Sequence, residues 1–64
     1  MDKKNWLCKI RLNGRIFFSD YLTSYEAVRL ITGVDILDAI TSDRDGKQHI
    51  TILNKYFEIN LIEL

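Results

Sequence analysis

An Asn-Gly dipeptide between two alternating apolar segments is the feature that most constrains this chain of 64 residues. Residues Trp6–Phe18 have the sequence WLCKIRLNGRIFF, and Asn-Gly in such a context is typical of a tight β-hairpin. A two-residue loop at Asn13-Gly14 would pair Leu12 with Arg15 and mix apolar and basic groups on both faces. We therefore predict a three-residue loop, Leu12-Asn13-Gly14, with a bulge and with Gly14 in the left-handed region.

This register predicts one buried and one exposed face for the first hairpin. The predicted buried face consists of Trp6, Cys8, Ile10, Ile16 and Phe18. The predicted outer face consists of Leu7, Lys9, Arg11, Arg15 and Phe17. The chain has nine basic and nine acidic residues, and Asp2 is the single acid before Asp20. The hairpin is therefore the basic part of a protein whose net charge is zero.

A capping box follows the hairpin. Thr23-Ser24-Tyr25-Glu26 has the Thr and Glu spacing in which the two side chains cap the first turn of a helix. We predict a short helix that ends at Gly33 in a left-handed conformation. The apolar spacing would also allow one helix from Ser24 to about Ala39. Gly33 and the β-branched residues that follow it favour a strand over 35–42 instead.

Two further hairpins are predicted from the remaining turn signals. A four-residue turn at Asp43–Gly46 would pair Leu37 with Ile52 and Ala39 with Ile50. A tight turn at Asn54-Lys55 would pair Ile52 with Phe57 and Ile50 with Ile59, and the alternative is a looser turn over Asn54–Phe57 before a strand at Glu58–Glu63. Both predicted turns place Ile50 and Ile52 on the same inner face of the sheet. That face contains Ile50, Ile52, Phe57, Ile59 and Leu61.

These elements predict a single small α+β domain over residues 1–64, with residues 1–4 as a flexible tail. The element order is β-β-α-β-β-β, and the expected architecture is a small bent antiparallel sheet or partly open β-barrel with one short helix. A chain of this length buries a limited core and is commonly reinforced by a disulfide, a metal or oligomerisation. One Cys and one His cannot supply an internal disulfide or a four-ligand zinc site.

Oligomerisation is the reinforcement that remains, so we expect a homodimer. If the inner face is as predicted, several large apolar side chains of the second half of the chain point outward, which is typical of an association surface. The predicted dimer interface consists of Ile36, Ile40, Leu53, Tyr56 and Ile62.

The sequence does not contain the parts of a familiar catalytic site. Cys8 and His49 could form a nucleophile–base pair, but the apolar neighbours of Cys8 favour an inert buried thiol. Asp43–Gly46 resembles part of a calcium loop, but Thr41 and Ile52 would then occupy ligand positions. We therefore expect no catalytic residues, no metal site, no cofactor and no small-molecule substrate.

The sequence also indicates a compartment. The lone Cys8 favours a reducing environment, and the sequence shows neither a signal peptide nor an apolar stretch long enough to cross a bilayer. The expectation is a cytoplasmic protein with no membrane partner.

Two functions remain open at this point. The first is a small non-catalytic protein-interaction module, plausibly an inhibitor or regulator from a phage or another mobile element, that binds a host protein as a homodimer. The alternative is a small-barrel nucleic-acid-binding protein, in which cationic groups contact phosphates and an aromatic ring stacks on bases. Either partner would be bound by Leu7, Lys9, Arg11, Arg15 and Phe17.

Overall fold

The computed structural model describes residues 3–64 and has one five-stranded antiparallel sheet with one helix. The elements are β1 (Trp6–Leu12), β2 (Arg15–Leu22), α1 (Ser24–Thr32), β3 (Asp38–Arg44), β4 (Lys47–Leu53) and β5 (Phe57–Glu63). The strand order is β2-β1-β5-β4-β3, so β2 and β3 are the two edges and the sheet is not closed. This confirms the predicted fold class and element order. The predicted tail, residues 1–4, falls partly outside the described residues.

The helix begins with the predicted capping box. Thr23 is the N-cap, and its side chain and that of Glu26 each accept a hydrogen bond from the other's backbone N–H. The predicted left-handed end is wrong, because Gly33 has a φ of −94° and its N–H bonds to Leu30 and Ile31 carbonyls. The alternative of one long helix is also excluded, since α1 ends at Thr32 and the strand after it begins at Asp38.

The core lies between α1 and one face of the sheet. Its buried side chains come from the three inner strands β1, β4 and β5 and from the helix: Cys8, Ala27, Ile52, Ile59 and Leu61. Ile50 and Phe57 are partly buried against this cluster, as are Trp6, Ile10 and Leu30. The predicted inner face of β4 and β5 is therefore confirmed, since alternate residues of a strand share a face.

The turn of the first hairpin differs from the prediction. Leu12 pairs with Arg15, so the loop is the two-residue Asn13-Gly14, and both residues have positive φ. A bulge farther along the ladder then shifts the register, because Arg11 pairs with Ile16 whereas Ile10 pairs with Phe18. Asn-Gly satisfies the two positive φ angles that a tight turn of this kind requires, and the bulge restores the apolar face after the turn.

The other two turns also differ from the predictions, but the strands that they connect keep the predicted faces. Arg44 pairs with Lys47 around a two-residue Asp45-Gly46 loop, so the four-residue turn is wrong. Leu53 pairs with Glu58, which confirms the looser turn rather than the tight Asn54-Lys55 turn. Both ladders are displaced by two residues from the predicted registers, and a displacement of two leaves every side chain on the same face.

The helix does not extend over the whole sheet. It contacts β1 and β2, while every residue of β3 is exposed. Leu37 and Ala39 were predicted to pair with the inner-face residues Ile52 and Ile50, but Leu37 is 70% exposed and Ala39 is exposed as well. The short apolar helix therefore buries one side of the sheet centre and leaves the β3 edge uncovered.

Candidate functional site

The face of the sheet opposite α1 is a candidate binding surface. The cross-strand registers place on it a mixture of apolar, polar and charged side chains, which we call the open face. Its members are Leu7, Lys9, Arg11, Ile16, Ser19, Tyr21, Asp38, Ile40, Ser42, Arg44, Lys47, His49, Thr51, Leu53, Glu58, Asn60 and Ile62. The single described helix packs on the other side, so no described helix covers this face.

Two predicted surfaces meet on the open face. Leu7, predicted to contact a partner, lies directly opposite Ile62, predicted to contact a second copy of the chain. Tyr21 flanks this pair on β2 and His49 flanks it on β4. Leu7 and Ile62 are half-buried by these neighbours. The pairing of the first strand with the last therefore brings one residue of each predicted site together on the open face.

The structure separates the five residues of the predicted dimer interface. Ile40 and Leu53 share the open face with Ile62, and Ile40 is 53% exposed. Ile36 and Tyr56 are exposed but lie in the connections before β3 and before β5. The backbone carbonyl of Asp35 accepts a hydrogen bond from Asn54, which ties these two connections together at one end of the sheet. The five residues are therefore not one flat patch.

The predicted basic face is divided by the two-residue loop. Lys9 and Arg11 lie on the open face, but the register places Arg15 opposite Leu12 and so on the other face. Phe17 lies at the bulge and is 72% exposed. The prediction that Arg15 shares a face with Arg11 is therefore wrong, because it depended on the three-residue loop.

Acidic and polar groups surround the two basic residues that remain on this part of the open face. Arg11 Nε lies 4.0 Å from Glu58 Oε2, and both side chains are a little more than one-third exposed. Lys9 pairs with Asn60, whose amide donates to Glu58. A nearby carboxylate reduces the local positive potential that phosphate binding requires. Phosphate attraction at Arg11 is therefore weakened.

A second basic pair on the open face was not among the predicted site residues. Arg44 and Lys47 are cross-strand neighbours beside the Asp45-Gly46 turn, at the corner far from Arg11. In the sequence these two residues stand directly before and after Asp45-Gly46. A two-residue turn at that dipeptide makes the residues on its two sides cross-strand neighbours. Trp6, in contrast, belongs to the helix side, where its ring N–H donates to Ser24 at 3.1 Å.

The geometry separates the one thiol from the one imidazole. Cys8 is fully buried on the helix side, whereas His49 lies on the open face, so the sheet stands between them. Burial, assisted by the negative charge of Asp20, raises the pKa of the Cys8 thiol and keeps it protonated. Cys8 and His49 therefore cannot act as the nucleophile–base pair that their residue types would allow.

Residues 3–64 contain no group of three His, Cys, Asp or Glu side chains that could hold a metal ion. The one helix of that range is also too short to cross a membrane.

Comparisons with known proteins return no matching family model, no similar curated protein and no similar solved structure.

Proposed function

We propose that this protein is a non-catalytic module that binds another protein through the open face of its sheet. The observation that carries the proposal is the Leu7–Ile62 pair, which joins the inner strands β1 and β5 near one end of that face, with Ile40 in the next cross-strand row and Leu53 in the row after it. An uncovered sheet face with apolar side chains in its central strands resembles the inner layer of a two-layer structure. A partner protein would supply the missing layer.

Charge at the margin of this face suggests the chemistry of the partner. The Arg44–Lys47 corner is basic, whereas Asp38 lies at the other end of β3 and Glu58 lies beside Arg11. Apolar side chains with both signs of charge around them are typical of a protein–protein interface. The partner surface would be apolar opposite the Leu7–Ile62 pair and carry acidic groups opposite the basic corner. A small regulator or inhibitor of a cytoplasmic protein fits these features.

The experiment is a capture assay with matched variants. Leu7→Thr/Ile62→Thr removes the apolar pair but keeps residues that suit strands. Val28→Thr makes a similar change at a 58% exposed position on α1, away from the open face. The tagged proteins are incubated with an extract of cells that express the protein, cross-linked and analysed by mass spectrometry. We expect one protein to be cross-linked by wild type and Val28→Thr and lost with the double variant.

Equal capture by all three proteins would overturn the proposal, provided that circular dichroism shows the double variant folded. Binding of labelled single- or double-stranded oligonucleotides is measured in parallel by anisotropy at low and moderate salt. Binding that weakens steeply with salt and is lost in Arg11→Glu would replace the proposal with the nucleic-acid function.

A further inference from the structure

We propose that two copies of this chain associate by antiparallel pairing of their β3 edges, with Thr41 opposite Thr41 of the second copy. This contact is made by the backbone of the sheet edge, although Asp38 and Arg44, which pair across it, are also members of the open face. Three features of β3 favour this contact: the backbone groups that it leaves free, the regularity of the edge and the positions of its charges.

The backbone of β3 presents a row of free hydrogen-bonding groups. Arg44 and Lys47 flank a two-residue turn and therefore form a hydrogen-bonded pair, and bonded pairs then alternate along an antiparallel ladder. The N–H and C=O groups of Ala39, Thr41 and Asp43 consequently point away from β4. The bond from the Ala39 N–H to the adjacent Asp38 carboxylate, at 2.9 Å, agrees with this direction.

The two edges of the sheet differ in how well they could accept another strand. β2 is interrupted by the bulge at Phe17, and bulges disturb the regular pairing of an edge. β3 pairs with β4 without a register shift from Asp38 to Arg44, and all its residues are exposed. It also contains no lysine and no proline, which commonly protect edge strands. β3 is therefore the edge that can continue the sheet.

Charges at the ends of β3 specify the register. Arg44 is adjacent to Lys47, and among residues 3–64 it forms no ion pair. With Thr41 at the two-fold axis, Asp38 of each copy lies opposite Arg44 of the other, and Ile40 lies opposite Ser42. Opposite charges at directly paired positions stabilise a sheet, whereas like charges destabilise it. In this arrangement the Asp38 carboxylate leaves the Ala39 N–H, which then bonds to the backbone of the second copy.

The same register keeps the open faces of the two copies on one side of the joined sheet. Even-numbered residues of β3 belong to the open face, and this register pairs even with even. Ile40 of one copy is then a diagonal neighbour of Ile40 of the other, within reach of apolar contact. Dimerisation would therefore extend the open face across the two-fold axis instead of covering it.

The test is sedimentation equilibrium over a concentration series with charge variants. Arg44→Asp places two carboxylates opposite each other at both ends of the contact, and we expect the dimer dissociation constant to rise about tenfold or more. Asp38→Arg/Arg44→Asp restores opposite charges and should recover the dimer. Lys47→Asp is the matched control, because it makes the same charge change on β4, away from the free edge.

A backbone variant tests the contact without charge. Thr41→Pro removes an N–H that points away from β4, so the chain should fold, as shown by circular dichroism, and remain monomeric. The proposal is overturned if wild type is monomeric at every concentration, if Arg44→Asp dissociates no more than Lys47→Asp, or if folded Thr41→Pro still dimerises. Capture of a partner by folded, monomeric Thr41→Pro would separate the two proposals, since Thr41 is not a member of the open face and the Leu7–Ile62 pair is unchanged in that variant.

Discussion

Thr23 and Glu26 close the first turn of α1 reciprocally. The Thr23 backbone N–H donates to Glu26 Oε1 at 2.9 Å, and the Glu26 N–H donates to Thr23 Oγ1 at 3.1 Å. Hydrogen bonds from the Thr23 backbone and side chain favour the ionised Glu26 carboxylate and hold the pKa of Glu26 below its usual value. The box therefore fixes the start of the helix that covers the core, and it does so in a pH-dependent way.

Acid should weaken the wild-type protein more than Glu26→Gln. The folded-state pKa of Glu26 lies below the unfolded one, so its contribution is present above the unfolded pKa and is lost as pH falls through the folded pKa. Glutamine keeps an oxygen acceptor for the Thr23 N–H but cannot be protonated in this range. Urea unfolding from neutral pH to about pH 3 should show the stability difference between the two proteins shrinking as pH falls.

Thr23→Ala is the control for this prediction. It removes the other half of the box and should lower the free energy of unfolding by about 1 kcal/mol. Most of this loss should persist as pH falls, because the threonine hydroxyl does not titrate. If wild type and Glu26→Gln lose stability in parallel throughout the acid range, the carboxylate makes no special contribution at the helix start.

Alternation allowed the sequence to predict the faces of the strands better than their turns. The predicted pairings of Ile50 and Ile52 were displaced by two residues in both hairpins, yet both side chains kept the predicted face. Period-two alternation constrains the face of a side chain and leaves even displacements undetermined. An odd displacement does change the face. The loop of the first hairpin is one residue shorter than predicted, and Arg15 and Ile16 therefore lie on the faces opposite to those predicted.

The candidate surface could be predicted only in pieces. Leu7 and Ile62 were each predicted to be outward-facing, but their juxtaposition depends on pairing between β1 and β5, at opposite ends of the chain. No turn links these strands, so no local signal specifies the pairing. The charge balance around Arg11 was missed for the same reason, since Glu58 reaches it through this long-range ladder.

Alanine at two glycine positions should have opposite effects on stability. Gly14 has a φ of +78°, so Gly14→Ala places a side chain in the left-handed region and should cost about 1 kcal/mol. Gly33 has a φ of −94°, and an added Cβ would meet its nearest atoms at 3.8 Å, an ordinary contact. Gly33→Ala should therefore stabilise the protein by about 0.4–1 kcal/mol through the unfolded chain.

Urea unfolding of the two glycine variants measures this difference directly. Both substitutions add the same methyl group, so each variant is the control for the other. A loss of stability in Gly33→Ala comparable to that in Gly14→Ala would indicate that the helix ends in the left-handed conformation that the sequence alone suggested.

The Cys8 thiol should react with an aromatic disulfide reagent only when the protein opens. Cys8 is completely buried, and its raised pKa leaves little thiolate at neutral pH. Its labelling rate in native buffer should be far below that of the same thiol in denaturing urea. Ser19→Cys in a Cys8→Ala background provides the exposed control, because Ser19 lies on the β2 edge and should react at once. Native labelling of Cys8 as fast as that control would mean that the sheet centre opens readily. Slow labelling that accelerates in step with unfolding would place Cys8 in the last part of the molecule to open, between the helix and the central strands.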